Sequence, residues 1–336
     1  MQGNSLASKR RLVGLIIPAI LAALTAWSCR GGYSGPVASV SIGTTKSEVN
    51  SLVLIAQEQG YFAKNGLDVT HEIYPSGAAA LEGVSNHEID MATGSEFAFV
   101  RRVLSQQDVR AITVITRSSI EYLVGRVDRG INSVADLKGK TIGVPLGSRP
   151  EFALDRFLYF RGIDASEVTL VDVPVDQSVE ALASGQVDAV AAWQPYVDQI
   201  RNRMGAQVVS WSTQADQPSY TLLMSSAEWI GENQDVVVRF LRALVEAERY
   251  VAANPEAVRT LVQERSNYSK EYVVSVWPNY SFSILLDQAL VVAMEDQARW
   301  MIGKNLSSAQ ETPNFVNHIF FDGLETVKPE AVNIIR

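Results

Sequence analysis

The residues best suited to chemistry are small hydrogen-bond donors at the expected starts of helices. Thr44, Thr45 and Lys46 follow a short apolar run, and Ser76 and Gly77 open an alanine-rich segment. Gly94 and Ser95 follow the apolar pair Met91 and Ala92, and Gly147, Ser148 and Arg149 precede a helical pattern. The first N–H groups of a helix lack intrahelical partners and sit at the positive end of its dipole, so such loops favour anions. Lys46 and Arg149 would add charge, Arg149 as a forked and permanently ionised donor. Each feature also has a plainer reading. Thr45 or Ser47 caps a helix while Lys46 is solvated, and Gly77 serves a tight turn or helix packing. Ser148 and Glu151 have the spacing of a capping box, which occupies only part of the free N–H set. Glu96, beside Ser95, would repel an anion and is expected to face away from it.

Other chemistries find no support. The chain has no Walker A sequence, no Gly-x-Gly-x-x-Gly and no Gly-x-Ser-x-Gly, and His71, His87 and His318 lack the spacing of metal ligands. No metal and no cofactor is expected. With 29 Lys plus Arg against 37 Asp plus Glu, the net charge of -8 argues against nucleic acid or an anionic membrane as partner. An anion site must therefore be local.

The first thirty residues set the compartment. Lys9, Arg10 and Arg11 precede an apolar run from Leu12 to Ala26, short of the roughly 20 apolar residues a membrane span needs. Residues 1–28 are read as a secretory signal. Cys29, the only cysteine, follows Ala26-Trp27-Ser28 in the manner of a bacterial lipobox, although Leu is absent three residues before it and Trp27 is bulky. A lone exported thiol can form no internal disulfide, which favours lipidation; cleavage by the ordinary signal peptidase is the alternative. Residues 29–37 are expected to be the lipidated cysteine and a Gly, Ser and Pro rich tether.

These loops must be positioned by alternating strands and helices, the pattern of a mostly parallel α/β sheet. Val40 to Gly43 reads as a strand and Val49 to Gln59 as a helix closed by Gly60. A weak repeat follows: Ile42-Gly43 and Ile142-Gly143 end strands, and Glu88 to Ala92 and Gln186 to Val190 lie at matching distances downstream. Two similar units imply two lobes with a cleft where strand ends face one another. The expected boundaries are 38–122 for the first part of lobe 1, 123–222 for lobe 2 with its hinge strands, and 223–336 for the completion of lobe 1. The crossing strands are placed at Leu123 to Asp128 and Tyr220 to Ser225. Beyond them Asp235 to Ala253 is helical, and Asn254-Pro255-Glu256 supplies an N-cap, a first-position Pro and an acidic first turn.

Four segments, in order, resemble the nitrate, sulfonate and thiamine-precursor class of ABC-transporter solute-binding proteins. They are Gly60-Tyr61-Phe62-Ala63-Lys64-Asn65-Gly66-Leu67-Asp68-Val69, Ser76-Gly77-Ala78-Ala79-Ala80-Leu81, Asp136-Leu137-Lys138-Gly139-Lys140-Thr141-Ile142-Gly143-Val144 and Ala192-Trp193-Gln194-Pro195-Tyr196. The resemblance implies the two-lobed periplasmic-binding-protein type II fold with a hinge of two crossing strands. It also implies a monomer outside the cytoplasmic membrane that closes on a small-molecule solute and delivers it to an ABC permease. By itself Trp193 is a core residue; the resemblance implies ligand contact. Gln194 stands where related proteins often have an acidic residue, which points to an anionic solute of sulfonate or nitrate type. A thiamine precursor or other heterocycle is the alternative ligand. An enzyme of the thiamine-pyrimidine-synthase type is the alternative class.

Overall fold

The computed structural model describes residues 33–336 apart from Ala215. The signal segment and Cys29 lie outside the described residues. Twelve strands follow in chain order: β1 (Ala38–Thr44), β2 (Leu67–Ile73), β3 (Met91–Ser95), β4 (Arg110–Ser118), β5 (Glu121–Arg126), β6 (Thr141–Val144), β7 (Thr169–Asp172), β8 (Ala189–Trp193), β9 (Val208–Ser212), β10 (Ser219–Ser225), β11 (Tyr280–Asp287) and β12 (Val332–Asn333). The helices are α1 (Ser51–Glu58), α2 (Tyr61–Lys64), α3 (Gly77–Ser85), α4 (Glu96–Leu104), α5 (Arg149–Tyr159), α6 (Ser178–Ser184), α7 (Tyr196–Met204), α8 (Ala227–Glu232), α9 (Gln234–Ala253), α10 (Pro255–Ser266), α11 (Lys270–Val276), α12 (Gln288–Gly303) and α13 (Asp322–Val327).

Two sheets result, ordered β12-β11-β4-β10-β3-β1-β2 and β7-β6-β8-β5-β9. In each, one strand arriving from the other lobe is inserted antiparallel: β10 between β3 and β4, and β5 between β8 and β9. This is the periplasmic-binding-protein fold with two lobes. The crossings themselves are shorter than the sequence suggests. Leu123 lies inside β5 and Tyr220 inside β10, and both strands belong wholly to one sheet. The chain crosses at Ser119-Ile120 and again over residues 213–218, so the second sheet spans 121–212 rather than 123–222. The β-prone residues that suggested hinges are apolar because they are central sheet members; β10 is buried along its length. Gln214 joins the two crossings. Its Oε1 accepts from the Ile120 and Glu121 N–H groups, each at 2.8 Å, and its Nε2 donates to Ser219 Oγ at 2.9 Å.

The sequence repeat corresponds to a repeated register. Ile42 and Gly43 face Met91 and Ala92 across β1 and β3, while Ile142 and Gly143 face Ala189 and Val190 across β6 and β8. An aspartate precedes each second strand and holds the first: Asp90 accepts from Ser41 N–H at 2.7 Å, and Asp188 from Thr141 N–H at 3.0 Å. The glycines recur because each strand lies under bulky neighbours. A Cβ on Gly43 would sit 2.5 Å from Ile89 Cδ1, and one on Gly143 2.8 Å from Val173 Cγ2.

One large core fills the first lobe, and two smaller cores cover the faces of the second sheet. The C-terminal third returns to the first lobe, where β11 pairs with β4 and α9 packs on α1. Pro255 does open α10, but Asn254 does not cap it. Its side-chain amide donates to the Tyr250 carbonyl at 3.0 Å, closing α9 instead. The expected tether is also partly docked: Tyr33 N–H donates to the Lys64 carbonyl at 3.1 Å, and its ring lies under the Arg239 guanidinium. Among the described residues no helix is long and apolar enough to cross a membrane.

Asp90→Ala should destabilise the protein by about 1–3 kcal/mol, because the Ser41 N–H and hydroxyl lose their acceptor beside a buried strand. Urea unfolding checks this; a change under about 0.5 kcal/mol, the range of surface substitutions, would contradict it.

Candidate functional site

The loops after β1, β3, β6 and β8 lie at the strand ends that face the other lobe. Most of the small donors nominated from the sequence prove to be engaged within the protein. Thr44 is buried, and its carbonyl accepts from Tyr74 N–H at 2.8 Å. Thr45 accepts from the Asn50 amide through both its carbonyl (2.8 Å) and its hydroxyl (3.1 Å). Neither Thr45 nor Ser47 caps a helix, because a short 3₁₀ turn over Glu48–Asn50 precedes α1 and its N-cap side chain makes no capping bond. Lys46 is exposed.

Ser76 caps α3, accepting from Ala79 N–H at 3.1 Å, and Ser95 caps α4, accepting from Ala98 N–H at 3.3 Å. Gly77 and Gly94 are small for each other's sake. A Cβ on Gly77 would lie 2.5 Å from Gly94 Cα, so the pair lets α3 pack directly on β3. The capping box expected at Ser148 does not form. The Ser148 hydroxyl donates to the Pro145 carbonyl and makes no capping bond, whereas Glu151 accepts from Gly147 N–H at 2.6 Å. Gly147 has φ of +68°, the left-handed region that favours glycine.

Arg149 and Glu96 require the largest correction. Glu96 does not face away; it is fully buried and meets Arg149 from the opposite lobe, Nε to Oε1 at 3.0 Å. The same guanidinium donates through Nη1 to Glu121, at the start of β5. Glu96 also accepts from Gln297 Nε2 at 2.9 Å and from Tyr220 N–H at 3.1 Å. Burial beside a second carboxylate pushes the Glu121 carboxyl up, and Arg149 offsets this only in part. Arg149 therefore ties the two lobes together and is no free donor for an anion. Local spacing shows Arg149 only as a possible anion donor, because the two glutamates that bury it are distant in sequence.

Trp193 ends β8, half-buried and edge-on to Tyr196 with ring centroids 6.1 Å apart. Gln194 turns inward: its Oε1 accepts from Asp198 N–H at 3.1 Å in the first turn of α7, and its own N–H donates to the Ile120 carbonyl.

A second group of polar residues on the cleft side was not anticipated. Glu48 is 2% exposed, and its Oε2 accepts from the Ser47 hydroxyl at 3.2 Å. Tyr272 and Tyr280 bring their hydroxyls close enough to lower its pKa, though burial dominates and raises it overall. Tyr268 stands against Tyr272, with centroids 4.8 Å apart. Burial, with Glu48 as the leading neighbouring charge, pushes the Tyr268 phenol up to about 12. Tyr196 and Tyr122 of the second lobe add smaller effects on Tyr268 and Tyr280, which places the group where the lobes meet. More than two hundred residues separate Glu48 from these tyrosines in the chain, so no local pattern could join them.

The histidines stand apart from these loops, His71 in β2 and His318 after α12. Among the described residues no group of His, Cys, Asp and Glu could hold a metal ion.

The family profile described as NMT1/THI5 like matches residues 49–258. Binding proteins of Brucella abortus are 27% identical over 209 residues, and the match spans 64% of their length. A Bacillus subtilis protein named for binding aliphatic sulfonates is 27% identical over 85% of this chain and 88% of its own. The formylaminopyrimidine-binding protein of Halalkalibacterium halodurans is 24% identical over 81% and 85%. Among solved structures, the periplasmic aliphatic sulphonate binding protein of Escherichia coli superimposes with a TM-score of 0.72 at 17% identity, covering 85% of this chain and 98% of that one. The desulfurization enzyme DSZB shares the fold at a TM-score of 0.63 and 16% identity, covering 87% and 99%.

Arg149→Ala should cost about 3–5 kcal/mol of stability, since two buried carboxylates lose their shared cation. Chemical denaturation reads this directly; a variant as stable as the parent would contradict the assignment. Glu48→Gln should act oppositely. A raised carboxyl pKa contributes stability below its unfolded value and loses it as pH rises through the folded one, so the cost is present near neutrality. The variant should melt above the parent near neutral pH and converge with it by about pH 4; equal melting throughout would count against it.

Proposed function

Because the chain belongs to the NMT1/THI5-like family, we propose that it is the solute-binding component of an ABC importer, not an enzyme. It captures a small organic solute between its lobes and delivers it to a membrane permease. The observation that carries this reading is the contact of the two lobes through Arg149 of the second on Glu96 of the first. A trap of this kind releases its solute when the lobes part, which a hinge of two short crossings allows.

The solute is read as a sulfonate-type organic anion. The names of the Bacillus subtilis and Escherichia coli proteins support this, as does exposed Lys46 after β1. Arg149 no longer contributes to it. The protein acts as a monomer outside the cytoplasmic membrane, held there by a lipid on Cys29.

Calorimetry with short alkanesulfonates and with aminopyrimidines should give saturable one-to-one binding to a member of the panel. Absence of binding across it would remove the solute-trap reading. Cys29→Ala should release the protein from the membrane fraction; a fully processed variant that stays there would exclude the lipid anchor.

A further inference from the structure

Helix α5 follows a strand of the second sheet, yet it belongs to two cores. Leu154, Phe157 and Leu158 pack in a core of the second lobe. Phe152, 3% exposed, is buried instead in the core of the first. Its ring meets Trp300 of α12, with centroids 5.7 Å apart, and Phe97 of α4, at 6.5 Å. One turn further along, Arg156 donates to Asp296 of α12 at 3.2 Å. The pairs Phe152–Trp300 and Arg156–Asp296 step by one turn in opposite directions, so α5 and α12 run antiparallel along one seam. Asp155 adds to it, accepting from Trp300 Nε1 at 2.9 Å and pairing with Lys304 at 2.7 Å.

The same helix is bonded to residues at both crossings. Arg156 reaches Asp216, within the crossing over residues 213–218, at 2.7 Å. Arg149, in the first turn, donates to Glu121, which directly follows the crossing at Ser119-Ile120. In a hinge motion a few residues absorb the rotation, and groups beside the axis are displaced least. Parting α5 from α12 would return Phe152 to water and leave buried Glu96 without its cation, losses that opening elsewhere along the cleft avoids.

We propose that α5 and α12 form the pivot of the lobe motion: they stay packed on each other whether the lobes stand open or together, and the cleft opens away from them. The inference rests on the solute-trap reading and adds to it the line about which the lobes turn. Phe152 anchors the second lobe in the core of the first, and Arg156 ties that anchor to a crossing.

Three pairs of spin labels test this in the full mature chain carrying Cys29→Ala, with no solute added. Tyr159→Cys with Val292→Cys spans the seam, Asn86→Cys with Ser166→Cys spans the two lobes, and Asn86→Cys with Val292→Cys lies within the first lobe; all four positions are exposed. The seam pair should give a distance distribution as narrow as the pair within the first lobe, while the pair across the lobes is at least twofold broader. A seam pair as broad as the pair across the lobes overturns the pivot and leaves the trap reading intact, because the lobes then part at the seam. Narrow distributions for all three pairs mean that the free lobes do not turn, and overturn the pivot and the trap together.

Discussion

Arg149 is one guanidinium shared by two carboxylates that come from different parts of the fold. Glu96 opens α4 in the first lobe, Arg149 opens α5 in the second, and Glu121 begins the strand that enters the second sheet. Taking three charges out of water is costly, and the loss of solvation is offset only where geometry is good and the remaining lone pairs are satisfied. Glu96 meets that condition through Gln297 and the Tyr220 N–H. Such a set can form only when two helix starts face each other across the cleft. It therefore constrains how the lobes meet, while Gln214 joins the two crossings between them. Around it, α5 packs on α12 through Phe152 and Trp300, and Trp300 donates to Asp155 at 2.9 Å. The contact between the lobes thus has both an apolar and an ionic component.

The group around Glu48 is built on a different principle. There Glu48 is buried beside the Tyr272 and Tyr280 hydroxyls, and burial raises its carboxyl more than those hydroxyls lower it.

Much of the fold was legible in the sequence because it rests on local signals. The Ile-Gly pairs and the aspartates preceding β3 and β8 recur at matching positions, and the amphipathic pattern of α9 was readable from its apolar spacing. The hinge was misplaced by a few residues because Leu123 and Tyr220 are apolar for burial within a sheet, and sequence alone cannot separate that from a crossing strand. Ser148 and Asn254 had capping chemistry that the local backbone directed elsewhere. At the site the limits were sharper. Glu96 was expected to avoid the cleft and Arg149 to serve it, since their partnership joins positions 53 residues apart. Glu48, Tyr268, Tyr272 and Tyr280 were not singled out at all, for they share no spacing and become a group only when the C-terminal third returns to the first lobe.

Closure of the lobes around a solute is tested most directly by an interlobe distance. Spin labels at Asn86→Cys in the first lobe and Ser166→Cys in the second, both exposed positions, would be placed in a Cys29→Ala background. Electron spin resonance of the free protein should give a broad distance distribution extending beyond the closed arrangement. Addition of a saturating solute should collapse it to a single shorter distance. Identical distributions with and without a bound solute would contradict the trap.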